Sequence, residues 1–320
     1  MAFPKKSLAL FLLLGLCGVA ACQKAQNLPG DEPAEKSLVD ARRGFTTKLV
    51  RKVRLGVPAD EPPEKLFQLI HYPSPAGSLA AYVGVRPPDS AKHPAIIWII
   101  GGFSNSISDI AWTPGPRDND QSASAFRKAG IVMMYPSLRG GNDNPGAMET
   151  FYGEVDDVLA AADYLAKLEY VDPQRIYLGG HSTGGTLAML AAECSDRFRT
   201  VFAFGPVDDV EGYGNEVLPF DTHNRREFDL RAPGKWLTAI RNPTFVIEGT
   251  RGGSNIASLH AMSRKPHGAH VHFLEAAGAD HFGTLFPLTR LLAQKIVKDT
   301  GETPNITLTS GELANAIKGK

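Results

Sequence analysis

The stretch from Arg175 to Ala192 constrains this chain more than any other. A β-like run, Arg175-Ile176-Tyr177-Leu178-Gly179, leads into Gly180-His181-Ser182-Thr183-Gly184, and a helix-like run from Gly185 to Ala192 leads out. A strand that passes into a helix around one serine leaves no length for a loop, so the serine sits at the apex of a strained bend. Glycines suit such a bend because its backbone packs closely against its neighbours. The helix N-terminus behind Ser182 points backbone N–H groups at any negative charge that forms there. Gly179 to Thr186 also nearly spells the phosphate-binding pattern G-x-x-x-x-G-K-[S/T]. Gly185 stands where that loop needs its lysine, so a triphosphate would lose its main side-chain contact.

The remaining periodicity predicts strands alternating with helices, hence a mostly parallel sheet covered on both faces. Leu66–His71 and Leu79–Val85 read as a hairpin turning through Pro73 to Gly77. Ala95–Ile100, Ile131–Tyr135, Val201–Phe204, Thr244–Ile247 and Val271–Leu274 are the continuous apolar runs of buried parallel strands. Gly153–Tyr170 and Phe286–Asp299 carry apolar residues at helical spacing. The polar stretch 205–241 is either a small cap over a site or a surface loop with a helix or two.

The front end reads as targeting sequence. Lys5 and Lys6 precede an apolar run from Leu8 to Val19 that is short for a bilayer span. Val19-Ala20-Ala21-Cys22 resembles a bacterial lipobox, with Cys22 lipidated; an ordinary signal ending near Ala21 is the other reading. The predicted organisation is therefore a signal over 1–21, a tether and loose lead-in over 22–64, one domain over 65–300 and a tail over 301–320. The expected location is the bacterial cell envelope, with the membrane as partner through lipid. Cys194 would be the lone remaining cysteine, a buried packing residue with no disulfide available. The 34 lysines and arginines balance 34 aspartates and glutamates, which gives no sign of a nucleic-acid partner.

Four local patterns resemble the α/β-hydrolase superfamily, most closely its prolyl oligopeptidase-like and dienelactone hydrolase-like branch. They are Ile100-Gly101-Gly102-Phe103, Tyr135-Pro136-Ser137-Leu138-Arg139-Gly140-Gly141, the run Val171 to Gly185, and Gly278-Ala279-Asp280-His281-Phe282. The resemblance implies an α/β-hydrolase fold with Ser182 as nucleophile and His281 as its base, in the chain order that fold uses. A serine hydroxyl needs such a base near neutral pH, and an imidazole can take its proton and return it. Thr183 and either Gly102 or Phe103 would supply the oxyanion N–H groups.

The third member of the set is open in the sequence. The loop after Thr244–Ile247 reads Glu248-Gly249-Thr250-Arg251-Gly252-Gly253-Ser254-Asn255, without the aspartate the family commonly places there. Glu248 is the first candidate acid, with Asp208 or Asp209 as alternatives and Asp280 a distant one. No cofactor or metal is called for. His267, His270 and His272 are read as strand-end residues, and Glu154, Asp156 and Asp157 as helix-start acids favouring the positive end of the dipole. The chemistry expected is cleavage of a carboxylic ester or related acyl bond in a small molecule through an acyl-enzyme. The lead-in is too short for the β-propeller of large prolyl oligopeptidases, so peptide cleavage is the alternative. A degenerate, non-catalytic binding lipoprotein is the other, and fold alone does not decide between them. Oligomeric state has no sequence signature.

Overall fold

Eight strands form one sheet in the order β1-β2-β4-β3-β5-β6-β7-β8. They are β1 (Phe67–Ser74), β2 (Gly77–Gly84), β3 (His93–Ile99), β4 (Val132–Pro136), β5 (Val171–His181), β6 (Val201–Phe204), β7 (Thr244–Gly249) and β8 (Val271–Ala276). Strand β2 runs antiparallel to β1 and β4, and every pairing from β4 to β8 is parallel. This computed structural model describes residues 37–319. The expected signal sequence, Cys22 and the tether as far as residue 36 lie outside the described residues.

The continuous apolar runs have a simple explanation: successive side chains feed opposite cores. Ile97, Leu178, Ala203 and Val246 enter one buried cluster; Ile96, Trp98, Tyr177, Phe202 and Phe245 enter the other. The helices are α1 (Leu38–Arg42), α2 (Ala125–Lys128), α3 (Glu154–Leu165), α4 (Thr183–Cys194), α5 (Arg225–Asp229), α6 (Pro233–Trp236), α7 (Ile256–Ser263), α8 (Leu285–Lys298) and α9 (Ser310–Lys318). Helices α1, α3 and α4 cover the first cluster, and α2, α8 and α9 the second. This is the expected α/β-hydrolase architecture.

Three segments differ from the sequence expectation. The lead-in is packed rather than loose: Leu38 and Ala41 are buried, and Arg42 bonds Asp156 at 2.8 Å while lying over the Tyr152 ring. Stretch 205–241 carries the short helices α5 and α6, as the loop reading expects, but it packs into the body instead of lying on the surface. Phe220, Phe228, Leu230 and Trp236 join the first core cluster, and Leu49 bridges to Phe220. Its Arg231 is fully buried against Glu227 at 2.7 Å, and Glu227 also accepts from Thr47 Oγ1 and the Lys48 N–H, so this region rivets the lead-in to the body.

The expected tail is likewise part of the core. Buried Asp299 accepts from Arg199 at 2.7 Å and from the Tyr177 hydroxyl at 2.8 Å. Arg199 also donates to the carbonyls of Gly301 and Thr303 at 2.6 and 2.8 Å, fixing the turn that follows. Helix α9 then starts on a capping box of Thr309 and Glu312 and buries Leu313 and Ile317 beside α8. Leu313→Ala is expected to lower unfolding free energy by about 2–4 kcal/mol in denaturant titrations, as large-to-small core changes do. The exposed control Val297→Ala should change it by under about 0.5 kcal/mol, and equal small effects would mark a loose tail.

Candidate active site

Strand β5 ends at His181 and helix α4 begins at Thr183, so Ser182 alone makes the turn, at φ 55° and ψ −115°. That is strained backbone for a residue with a side chain, held because its surroundings over-determine it. The Ser182 N–H donates to the Phe204 carbonyl of β6 at 2.7 Å. A side chain at Gly184 would collide with the Ile99 carbonyl, so glycine there lets α4 reach the sheet edge and close the bend.

His281 lies between β8 and α8, and Glu248 on β7, both buried. His281 Nδ1 donates to Glu248 Oε2 at 2.8 Å. The carboxylate is oriented from both sides: Oε1 accepts from the Gly249 N–H and Oε2 from the Asn255 N–H at 2.9 Å. Asn255 in turn donates through Nδ2 to the Gly205 carbonyl at 2.8 Å. Gly205 has φ +58°, and a Cβ there would sit 2.7 Å from His281 Nδ1 and 2.8 Å from Glu248 Oε2. The histidine–glutamate pair therefore fits only over a glycine directly after β6. Among the described residues, neither Ser182 Oγ nor His281 Nε2 has a hydrogen-bond partner, so each is free to bind a third group.

His181, next to the serine, couples these pieces. Its ring lies 4.5 Å from that of His281, and Nε2 donates to the His281 carbonyl at 3.1 Å. Nδ1 accepts from Gln121 Nε2 at 2.9 Å, while Gln121 Oε1 accepts from the Gly101 N–H at 3.3 Å. One glutamine and one imidazole thus tie the loop after β3 to the histidine loop. Burial, reinforced by neighbouring His281, pushes the His181 pKa down to about 3. A neutral ring is what this bonding needs, since Nδ1 must accept.

The loop after β3 brings Gly102 and Phe103 alongside α4, and Thr183 Oγ1 donates to the Gly102 carbonyl at 2.6 Å. The backbone N–H groups of Gly102, Phe103 and Thr183 find no acceptor among the described residues. The alternative acids bond elsewhere. Asp208 accepts from Ser258 Oγ, Asp209 pairs with Arg225, and Asp280 accepts from the Gly283 N–H. His270 bonds the Ile240 carbonyl, His272 stacks on Phe245 and His267 packs on Phe273. The described residues hold no group of three or more His, Cys, Asp or Glu placed for a metal ion. Cys194 is half-buried beside Arg42, its thiol pushed up to about 11 by burial. Sequence reasoning missed Gln121, Gly205 and Asn255, whose roles come from contacts over dozens of residues. It also passed over His181, although that residue sits inside the key pentapeptide.

A strained serine between a parallel strand and a helix, with its carboxylate two strands away on β7 and its histidine after β8, at the same end of the parallel strands, defines an α/β-hydrolase-fold protein. Residues 117–250 match the prolyl oligopeptidase family. A dual function macrocyclase-peptidase of Galerina marginata is 36% identical over 158 residues, 42% of this chain and 21% of that protein. The chain spans about a fifth of the length of such peptidase relatives. The 2,6-dihydropseudooxynicotine hydrolase of Paenarthrobacter nicotinovorans is 23% identical over 83% of this chain and 70% of its own length. Among solved structures, an esterase of Pyrobaculum calidifontis aligns with TM-score 0.52 and 18% identity over 74% of this chain and 87% of its own. The dipeptidyl peptidase 4 of Porphyromonas gingivalis aligns with TM-score 0.55 and 16% identity over 72% of this chain and 35% of its own. The chain has the α/β-hydrolase fold, and within it residues 117–250 are similar to the prolyl oligopeptidase family.

The neutral His181 gives a pH prediction. An unfolded imidazole gains its proton below about pH 6.5, whereas folded His181 does so only near 3. Between those values the unfolded state binds more protons, so stability falls as pH falls, by up to about 1.4 kcal/mol per pH unit. Unfolding free energy followed from pH 7 downward should have a shallower slope in His181→Gln than in the parent, whatever its absolute stability. Identical slopes would mean that the ring is protonated in the fold.

Proposed function

We propose that the protein is a serine hydrolase that cleaves a carboxylic ester, or a related acyl bond, in a small molecule. The observation that carries this reading is the His281–Glu248 hydrogen bond, with Nε2 left unpartnered on the sheet edge that carries the strained Ser182. Glu248 holds Nδ1–H and so fixes the tautomer in which Nε2 is basic. Nε2 takes the Ser182 proton as Oγ attacks the carbonyl carbon. The N–H of Thr183 and that of Gly102 or Phe103 receive the developing oxyanion. His281 returns the proton to the leaving group, and water, deprotonated by the same nitrogen, releases the acid and restores Ser182.

Support for ester cleavage comes from the alignments with an esterase over 74% and with a small-molecule hydrolase over 83% of this chain. Peptide cleavage remains the second reading, favoured by the family match over residues 117–250. Lipid attachment at Cys22 and a cell-envelope location are part of the proposal, supported by the apolar run Leu8–Val19 and the Ala20-Ala21-Cys22 sequence. Incorporation of labelled palmitate that Cys22→Ala abolishes is the expected result there.

A fluorophosphonate probe should label the parent protein, and Ser182→Ala should abolish labelling. A folded parent that stays unlabelled would overturn the reading. Glu248→Gln should lower turnover of 4-nitrophenyl acetate by about 10³–10⁴-fold, since the amide supports the wrong tautomer. Faster hydrolysis of a 4-nitrophenyl ester than of the matching 4-nitroanilide peptide separates the two substrate readings.

A further inference from the structure

Beside the Gly102–Phe103 turn lies a cavity of ≈ 30 Å³, walled by Ile99, Leu138, Met148, Phe151 and Leu187. Five polar side chains also line it, Ser104, Asn105, Thr150, Glu154 and Thr183. Thr150 and Glu154 are buried, and Glu154 Oε2 and Thr150 Oγ1 have no hydrogen-bond partner. Leaving such atoms unpaired costs about 1–3 kcal/mol each, so each calls for a missing group. Glu154 Oε1 is fully used, by Asn105 Nδ2 at 3.0 Å and the N–H groups of Glu149 and Thr150 at 2.7 and 3.2 Å.

The wall is also strained. Thr150 and Phe151 have φ of 51° and 74°, unusual for a β-branched and a bulky residue. Buried Arg231 pins that strain by donating to the carbonyls of Thr150 and Glu149 at 2.8 and 2.9 Å. The local charge is one-sided. Arg139 spends its guanidinium on Asp157 and Glu149, so Glu154 is left without an ion pair among the described residues.

We infer that this cavity is a substrate subsite that takes a small ammonium group, so that the preferred substrates carry a primary amine near the scissile acyl bond. The inference rests on the serine hydrolase reading, because Gly102, Phe103 and Thr183 border both the cavity and the proposed oxyanion hole. An ammonium supplies three donors, matches two orphaned acceptors and offsets the surplus carboxylate. The cavity admits one or two heavy atoms, since a water centre needs about 10–15 Å³. Burial raises the Glu154 carboxyl, with Arg139 opposing the rise, and a bound cation would oppose it further.

The test measures the rate at which a fluorophosphonate labels Ser182 in the presence of n-butylammonium or butan-1-ol. The amine should slow labelling at a concentration at least about tenfold lower than the alcohol does, the scale of a charge-assisted hydrogen bond. Glu154→Gln keeps Oε1 in place and turns an N–H₂ toward the cavity, so the preference for amine should vanish. Thr150→Val, of the same shape and branching, should reduce it, and thermal unfolding reports whether each variant folds. Labelling that responds equally to amine and alcohol assigns the cavity a structural water only and overturns the inference, leaving the hydrolase reading standing. Absence of any labelling in folded parent protein overturns both.

Discussion

The contact on which the rest of the site depends is the approach of α4 to the end of β3, where Gly184 passes the Ile99 carbonyl too closely for any side chain. That approach forces the chain to turn within one residue. It places Ser182 at positive φ with its N–H committed to the Phe204 carbonyl, and so fixes the hydroxyl relative to β6. From β6 the geometry passes to Gly205, whose missing side chain leaves the space that the His281–Glu248 pair fills. Two glycines, one in the first turn of α4 and one directly after β6, thus set where the hydroxyl, the imidazole and the carboxylate stand. Sheet and helix packing, more than any direct bond between these groups, is what assembles them.

Rigidity at this edge is supplied by polar groups that are individually modest. Gln121 holds the Gly101 N–H with one end and His181 with the other, and His181 holds the His281 carbonyl. A change at any of these residues would be felt on both sides of the site, because all three bonds share two side chains. The low His181 pKa belongs to the same design: a protonated ring would lose its acceptor at Nδ1 and place a charge against His281. This explains why a histidine can sit beside the serine without competing with His281 for its proton.

Much of the fold was legible in the sequence, and for physical reasons. The central strands are buried on both faces, so they read as unbroken apolar runs, and the serine turn bears its signature over five consecutive residues. Glu248 was readable as a candidate only because it closes β7 where the neighbouring loop offers no aspartate. What singles it out over Asp208 and Asp209 is the spacing of β6, β7 and β8, which no local pattern encodes. Residues 301–319 read as a tail because their anchor, Arg199, lies about a hundred residues upstream, just before β6. The lead-in was misread likewise, since its charged Arg42 and Lys48 find partners in segments far along the chain.

Among the described residues Ala123, Asn142, Thr150, Phe151 and Ser182 have positive φ without being glycine. Thr150 and Phe151 line the cavity beside the β3 loop, next to Thr183, which follows Ser182. The Thr150 carbonyl is held by Arg231 and the Ser182 N–H by Phe204. A fold this well packed could relax any one of them by a small change of sequence: glycine at 150 or 151 would remove the cost. Keeping a threonine and a phenylalanine at positive φ costs stability, and the buried Arg231 beside them spends part of its guanidinium on the Thr150 carbonyl. Ser182 has an evident chemical use for its strain. By the same logic the strained wall opposite it is better understood as part of the substrate's seat than as scaffold, and this is why the unpartnered oxygens of Glu154 and Thr150 carry more weight here than they would in an unstrained core.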